Sequence, residues 1–240
     1  LFLSNSLFAQ DPEFTQFYAN PLYLNPAFAG TAHCPRVSLN YRNQWPGISG
    51  SFVTTSASYD QHIDALAGGV GLLVWNDQAG EQTMSTTNVS GMYSYQIPIT
   101  RRFSLKAGIQ TTWAQKSVDW SKLTFGDMID SRRGFIYDTQ EVQRNSTASY
   151  VDFSAGVLGF SENYFVGFAV NHLTEPDESV IQGLSPLPRK YTFHAGGVIP
   201  VSSKGEPASI SPNLLIQYQE QFLQINYGMY FSKGPIIGGL

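Results

Sequence analysis

Apolar and polar residues alternate along most of the chain after Val37. In segment 103–113 the apolar row consists of Phe103, Leu105, Ala107, Ile109 and Trp113. A period of two places successive side chains on opposite faces of a β-strand. Because Lys106 lies in the middle of the opposite, polar row, that row must meet water. The pattern therefore predicts strands with one apolar and one hydrated face.

About ten segments show this alternation, each close to the roughly 9–11 residues that a tilted membrane strand needs. They begin near Val37, Phe52, Ala67, Met84, Arg102, Tyr150, Tyr164, Tyr191, Ile210 and Phe222, and an eleventh begins at Ile236. Bacterial outer-membrane barrels usually have an even number of strands. We therefore expect an all-β fold, a transmembrane antiparallel β-barrel of twelve or more strands at full length, with its C-terminal strands missing from this sequence.

The connections between these segments are alternately short and long, as in barrels with short periplasmic turns and longer exterior loops. Segment 97–102 is predicted to be a periplasmic turn and segment 114–149 an exterior loop. Two connections break the rule, because SSKGEPASISP is long where a tight turn is expected and YQEQF is short where a loop is expected.

The composition favours a membrane barrel over a soluble sandwich, which would also alternate. Charged residues make up 13% of the chain, about half the usual share of a soluble protein. No apolar run reaches the roughly 18 residues of a membrane-spanning helix, so any membrane crossing must use strands. The net charge of −4 and the absence of a Lys/Arg block exclude nucleic acid as an expected partner.

The N-terminal region divides into two parts before the first strand. Residues 1–10 resemble the end of a secretory signal peptide, with cleavage after Ala9 or Gln10. Residues 11–36 contain four prolines, which forbid a long helix or a central strand. We therefore expect a leader remnant over 1–10, a periplasmic or plug-like segment over 11–36, and a single truncated barrel domain over 37–240.

Candidate catalytic and metal-binding groups are sparse. The four histidines show no metal-ligand spacing, the single Cys34 excludes a cysteine-based zinc cluster, and no GxSxG motif occurs. We expect no enzymatic activity, no metal and no cofactor. The charged loop around Asp127 and Asp130 is either a ligand-binding exterior loop or a solvated loop with local ion pairs.

Several charged or polar residues fall on the inner row of the predicted strands. They are Arg42, Asp60, Lys106, Asp152 and His194. Such residues can pair across the barrel, line a channel, or contact a plug, and the sequence leaves these alternatives open.

Two blocks near the N-terminus resemble the PorP/SprF family, outer-membrane proteins of Bacteroidota tied to type IX secretion and gliding motility. The first block includes Gln16, Phe17, Tyr18, Asn20, Pro21, Tyr23, Asn25, Pro26 and Gly30. The second block includes Tyr41, Arg42, Gln44, Trp45, Pro46 and Gly47. The resemblance is specific over about the first fifty residues and extends over the rest of the chain only in its strand rhythm.

The resemblance implies an outer-membrane component that anchors periplasmic type IX machinery or helps to display a secreted adhesin, with outer-membrane lipid around it. The alternative is a transport barrel for small solutes or fatty acids, and a barrel enzyme acting on lipid ranks third. The turn-forming Asn-Pro pairs suit a plug or clamp. We expect residues 11–30 to pack into or against the periplasmic opening, anchored by Phe17, Tyr18, Tyr23 and Phe28.

Overall fold

A computed structural model describes residues 11–14, 16–32, 34–47, 50–130, 132–140, 146–180, 183–201 and 208–239. The eleven strands of its main path are β1 (Arg36–Gln44), β2 (Phe52–Ile63), β3 (Gly68–Ala79), β4 (Met84–Pro98), β5 (Phe103–Val118), β8 (Thr147–Ser161), β9 (Tyr164–Asn171), β10 (Lys190–Gly197), β12 (Ala208–Gln219), β13 (Phe222–Lys233) and β14 (Ile236–Gly239). Three two-residue strands complete the set: β6 (Ile129–Asp130), β7 (Gly134–Phe135) and β11 (Ile199–Pro200). Every predicted strand start lies within about three residues of an observed one.

The main strands form one antiparallel sheet in which neighbours along the chain pair with each other. β11 pairs with β12 beside this path, and β6 and β7 form a separate small hairpin. The predicted all-β antiparallel fold is confirmed, and the sheet, which is open between β1 and β14 in the described part of the chain, is consistent with a β-barrel. None of the described helices is long and apolar enough to cross a membrane.

The two faces of the sheet differ as the alternation predicts. On β5, Lys106 is fully buried on the inner face, whereas Ile109 is 63% exposed on the outer face. Outer positions on other strands are equally open, with Val166 at 51% and Tyr227 at 86% exposure. The exposed outer side chains are mostly apolar and the inner row is mostly polar, the reverse of a water-soluble fold.

The connections define two ends of the sheet. The short-turn end carries residues 64–67, 99–102, 162–163 and 234–235, together with the longer connection 198–207. The long-loop end carries 45–51, 80–83, 119–146 and 172–189, together with the tight turn at 220–221. The long loop is shorter than the predicted 114–149, because β5 and β8 remain paired as far as Ser117 and Thr147.

Three of the six short helical elements in the described part of the chain lie before the first strand. A 3-10 turn at Phe17–Ala19, helix α1 at Pro21–Leu24 and a 3-10 turn at Pro26–Phe28 follow one another. Proline begins the last two, where its missing N–H costs no hydrogen bond. Further 3-10 turns lie at Asp64–Leu66, Trp120–Lys122 and Gly126–Met128. The predicted leader remnant at 1–10, together with Thr15, His33 and Ile48, lies outside the described residues.

Candidate functional site

The N-terminal segment fills the interior of the sheet. We call residues 11–14 and 16–32 the lumen segment. Asp11 lies beside His172 at the long-loop end, and Gly30 lies beside Asp60 at the short-turn end. The lumen segment therefore runs through the barrel from one end to the other, rather than closing only one opening as the sequence suggested.

At the short-turn end, two buried charges hold the backbone of the lumen segment. The Lys106 ammonium donates to the carbonyl oxygens of Ala29 (2.8 Å) and Gly30 (2.9 Å). The Gly30 N–H donates to Asp60 at 2.8 Å, and Asp60 also pairs with Arg36 at 2.8 Å. A buried ammonium is tolerated only when its donors are satisfied, so Lys106 and the backbone at Ala29–Gly30 depend on each other.

Halfway along the lumen, the side chain of Asn25 joins the segment to three neighbouring strands. Its amide nitrogen donates to the carbonyl oxygens of Val157 (3.0 Å) and Phe168 (3.3 Å), and lies 3.0 Å from His194 Nε2. Its oxygen accepts from the Ala27 N–H at 2.9 Å, which caps the following 3-10 turn. Asn25 is fully buried, so the amide satisfies donors and acceptors that water cannot reach.

Two glycines allow the lumen segment to lie directly on the sheet. Gly108 on β5 and Gly156 on β8 are cross-strand partners below Asn25 and Ala27. A Cβ atom at Gly108 would lie 2.4 Å from the Ala27 nitrogen, and one at Gly156 would lie 2.1 Å from the Asn25 oxygen. Any side chain at either position would therefore displace the segment.

Apolar contacts of the lumen segment involve small and aliphatic residues as well as aromatic ones. Leu22 and Ala29 form a buried cluster with Leu73 and Met92 of the sheet. Asn20, 1% exposed, donates to Ser56 at 3.0 Å. These aliphatic and polar contacts hold the segment in addition to the aromatic anchors that the sequence predicted.

Of the four expected aromatic anchors, Phe17 is half-buried and packs edge-on against Tyr18, and the other three divide into two groups. Tyr23 packs edge-on against Trp75, and Phe28 stacks on His194 with ring centroids 4.9 Å apart. Tyr18, in contrast, is 42% exposed and touches Tyr230 near the open side of the sheet. Tyr23 and Phe28 are thus lumen contacts, whereas Tyr18 is only partly covered.

At the long-loop end, an ionic cluster surrounds Asp11. His172 lies 3.0 Å from Asp11 and 2.7 Å from Asp152, and Lys190 lies 3.6 Å from Asp11 and 3.1 Å from Glu13. Burial alone would raise the pKa of the Asp11 carboxyl, but the charges of His172 and Lys190 outweigh it and hold that pKa below its usual range. Burial would likewise lower the pKa of His172, yet Asp11 and Asp152 raise it to about 10. Asp11 and His172 are therefore both ionised at neutral pH.

The structure brings most of the predicted inner residues to the lumen segment. Asp60, Lys106 and His194 contact it directly, and Asp152 does so through His172. Arg42 donates instead to Gln44 at 2.8 Å, and has no hydrogen bond to the segment among the described residues.

The residues of the first block lie mostly inside the lumen, and those of the second block at its rim. Gln16 and Tyr18 are exposed, while Asn20, Asn25, Pro26 and Gly30 are buried. Trp45 is 55% exposed and packs edge-on against Phe52 at the long-loop end, next to Pro46 and Gly47, and Tyr41 is exposed on the outer face. The two blocks are therefore separate in space.

Sequence reasoning missed several contributors to the site. They are Leu22, Ala29, Gly108, Gly156, His172 and Lys190. Glycine in the inner row of neighbouring strands was a readable signal, because an inner row without side chains leaves room for another backbone. The ionic partners at 172 and 190 carried no such signal, since they lie 161 or more positions from Asp11.

The sequence profile described as type IX secretion system membrane protein PorP/SprF matches residues 6–240. The chain belongs to the PorP/SprF family. The match includes both N-terminal blocks and every strand of the sheet, so the resemblance noted over the first fifty residues extends to the whole fold. No curated protein and no solved structure matches the chain. This PorP/SprF protein is a membrane component of the type IX secretion system, which implies interaction with the secretion machinery.

Proposed function

We propose that this PorP/SprF protein is an outer-membrane scaffold that binds a protein partner and does not conduct solutes or catalyse a reaction. The observation that carries the proposal is the lumen segment, which occupies the barrel from end to end. It is held by Lys106 and Asp60 at one end, by Asn25 in the middle, and by His172 at the other end. A transport barrel, the alternative, would have to expel this segment from three sets of contacts.

The outer surface supports residence in the outer membrane. The apolar outer row of β5 extends from Leu105 to Trp113, and comparable rows lie on β8 and β13. Barrels of that membrane have short periplasmic turns and longer exterior loops. In the proposed orientation the short-turn end therefore faces the periplasm and the long-loop end faces the cell exterior.

Two kinds of partner suit this orientation. Periplasmic type IX machinery would meet the short-turn end, where Arg101 and Arg102 are exposed beside Ile99. A secreted adhesin, as in gliding motility, would meet the long-loop end, where the loop 119–146 exposes Phe135 and Tyr137. Both surfaces offer exposed apolar residues beside charged ones, a composition compatible with protein contact.

Affinity purification from native outer membranes after cross-linking tests the proposal and separates the two partners. Replacing Arg101 and Arg102 by Glu should abolish cross-links to periplasmic ring components, while an exchange of Phe135 and Tyr137 for Ser should leave them intact. If a secreted adhesin is captured instead, and only the exchange of Phe135 and Tyr137 abolishes its cross-links, the exterior surface is the binding surface. If the unmodified protein captures neither periplasmic components nor a secreted adhesin, the scaffold role is contradicted.

A further inference from the structure

Among the described residues, the lumen segment borders a cavity of about 300 Å³ at the long-loop end. Strand register explains why it is there. Trp75, Asn88, Ala114 and Tyr150 lie side by side on four consecutive sheet strands, all on the inner face. Trp75, Asn88 and Tyr150 of this row line the cavity, so it has an aromatic side chain on each side of a polar one. Tyr23 of the lumen segment forms the floor.

The charges that line the cavity do not balance. The lining contains the carboxylates of Asp11, Asp77, Asp152 and Glu178 and the cations Lys116, His172 and Lys190. Glu178 pairs with Lys116 at 3.0 Å, and the ionic cluster described above joins Asp11 and Asp152 to His172 and Lys190. Asp77 is left with only the hydroxyl of Thr54, at 2.5 Å, and with no cationic partner among the described residues.

A second polar group points to a ligand independently of this carboxylate. Asn88 is 5% exposed, and its amide nitrogen has no hydrogen-bond partner in the described part of the chain. An unsatisfied buried donor costs about 1–3 kcal/mol and therefore calls for an explanation. Asn88 lies diagonally across from Asp77 on the adjacent strand, at a backbone separation of about 7–8 Å.

We propose that this cavity binds a small hydroxylated amine of about monosaccharide size, such as an amino sugar, with its ammonium group at Asp77 and an oxygen at Asn88, whose side-chain amide turns to present its covered nitrogen to the cavity. The volume is near the lower end of small-molecule sites. The hydroxyls of Thr86 and Thr112 and the amide of Gln110 line the same wall and can bond further hydroxyls. Trp75 and Tyr150 supply aromatic surface beside the cation.

The charge pattern argues against other ligand classes. An anion would meet the unpaired Asp77 carboxylate, since the cations Lys116, His172 and Lys190 are already paired. A purely apolar ligand would leave both Asp77 and Asn88 unsatisfied. This binding activity goes beyond the scaffold role and does not depend on it, because the cavity exists whichever protein partner the barrel holds.

Isothermal titration of the full chain in detergent, at mildly acidic pH where the ligand amine is protonated, tests the site with three probes. Glucosamine should bind, and glucose, which has a hydroxyl in place of the amine, should bind roughly ten- to a hundredfold more weakly. Cyclohexylamine, which keeps the amine but lacks the hydroxyls, should also bind more weakly than glucosamine.

Substitutions assign the two contacts. Asp77→Asn should reduce the preference for glucosamine over glucose to about unity, and Asn88→Leu should weaken both sugars. Asp64→Asn, at an exposed turn of the opposite end, is the matched control and should bind like the unmodified chain. Retained heat-modifiability on gels verifies that each variant is folded. Equal binding of glucose and glucosamine, an unaltered preference in Asp77→Asn, or no binding of any probe would overturn the proposal.

Discussion

Replacing Gly108 by Ala should lift the lumen segment off the sheet without unfolding the barrel. The new Cβ would lie 2.4 Å from the Ala27 nitrogen, whereas ordinary contacts begin at 3.4 Å. The segment must therefore move by about 1 Å, which stretches the three contacts of the Asn25 amide nitrogen beyond hydrogen-bonding range. Because the amide nitrogen has two hydrogens, these contacts amount to two hydrogen bonds, and at about 1 kcal/mol for each the segment loses about 2 kcal/mol.

Hydrogen exchange measures this loss directly. A difference of about 2 kcal/mol corresponds to a roughly thirtyfold fall in the protection of the amides of residues 27–30. Gly91→Ala is the matched control, because Gly91 faces outward on β4 and a Cβ there meets nothing within 4 Å. Strand amides should be unaffected in both variants. Unchanged protection of residues 27–30 in Gly108→Ala would show that the segment does not lie on the sheet at this level.

Three further predictions concern the membrane face, the ionic cluster and the orientation. Ile109→Arg, at the centre of the outer row of β5, should destabilise folding into lipid vesicles by about 2–4 kcal/mol, and Ile99→Arg, at a turn, by no more than about 1 kcal/mol; equal values would place the membrane elsewhere. The pKa of His172 is raised to about 10, so its ion pairs stabilise the docked lumen segment. This stabilisation is complete below pH 6.5, the ordinary pKa of histidine, and is lost as the pH rises towards 10. The lowered pKa of Asp11 adds stabilisation above its ordinary value of 3.8 that is lost on acidification. Hydrogen exchange at residues 11–14, corrected for intrinsic rates, should therefore be slowest between these two ordinary values and should accelerate as the pH rises above 6.5. His172→Gln should remove this alkaline acceleration; if the acceleration persists, His172 is not its cause. Protease added to intact cells should cleave within 119–146, and cleavage only after permeabilisation would invert the assigned orientation.

The strand pattern was predictable because it depends on local alternation. Inner and outer faces are chemically different, so a shift of one residue would place Lys106 in lipid and Ile109 in the lumen. This constraint fixes strand starts to within a few residues. It also indicated that the polar residues Asp60, Lys106 and His194 point inward.

The course of the lumen segment was not predictable in the same way. Its contacts join residues far apart in sequence, such as Asp11 with His172 and Asn25 with His194. Alternation shows which side chains point inward but not which other part of the chain they contact there. Aromatic side chains were expected to dominate because they bury the most area, yet a narrow lumen admits backbone and small side chains more readily. The buried amide of Asn25 therefore matters more than the half-exposed ring of Tyr18.

Single-channel recording in planar bilayers tests most directly whether the lumen segment blocks the passage of ions through the barrel. The unmodified chain should give a flat current baseline after verified insertion, because contacts at Lys106, Asn25 and His172 hold the segment in place. Gly108→Ala should give intermittent openings under the same conditions, and Gly91→Ala should stay silent. A stable, long-lived conductance from the unmodified chain would show that the lumen segment does not block the barrel and would favour a transport barrel.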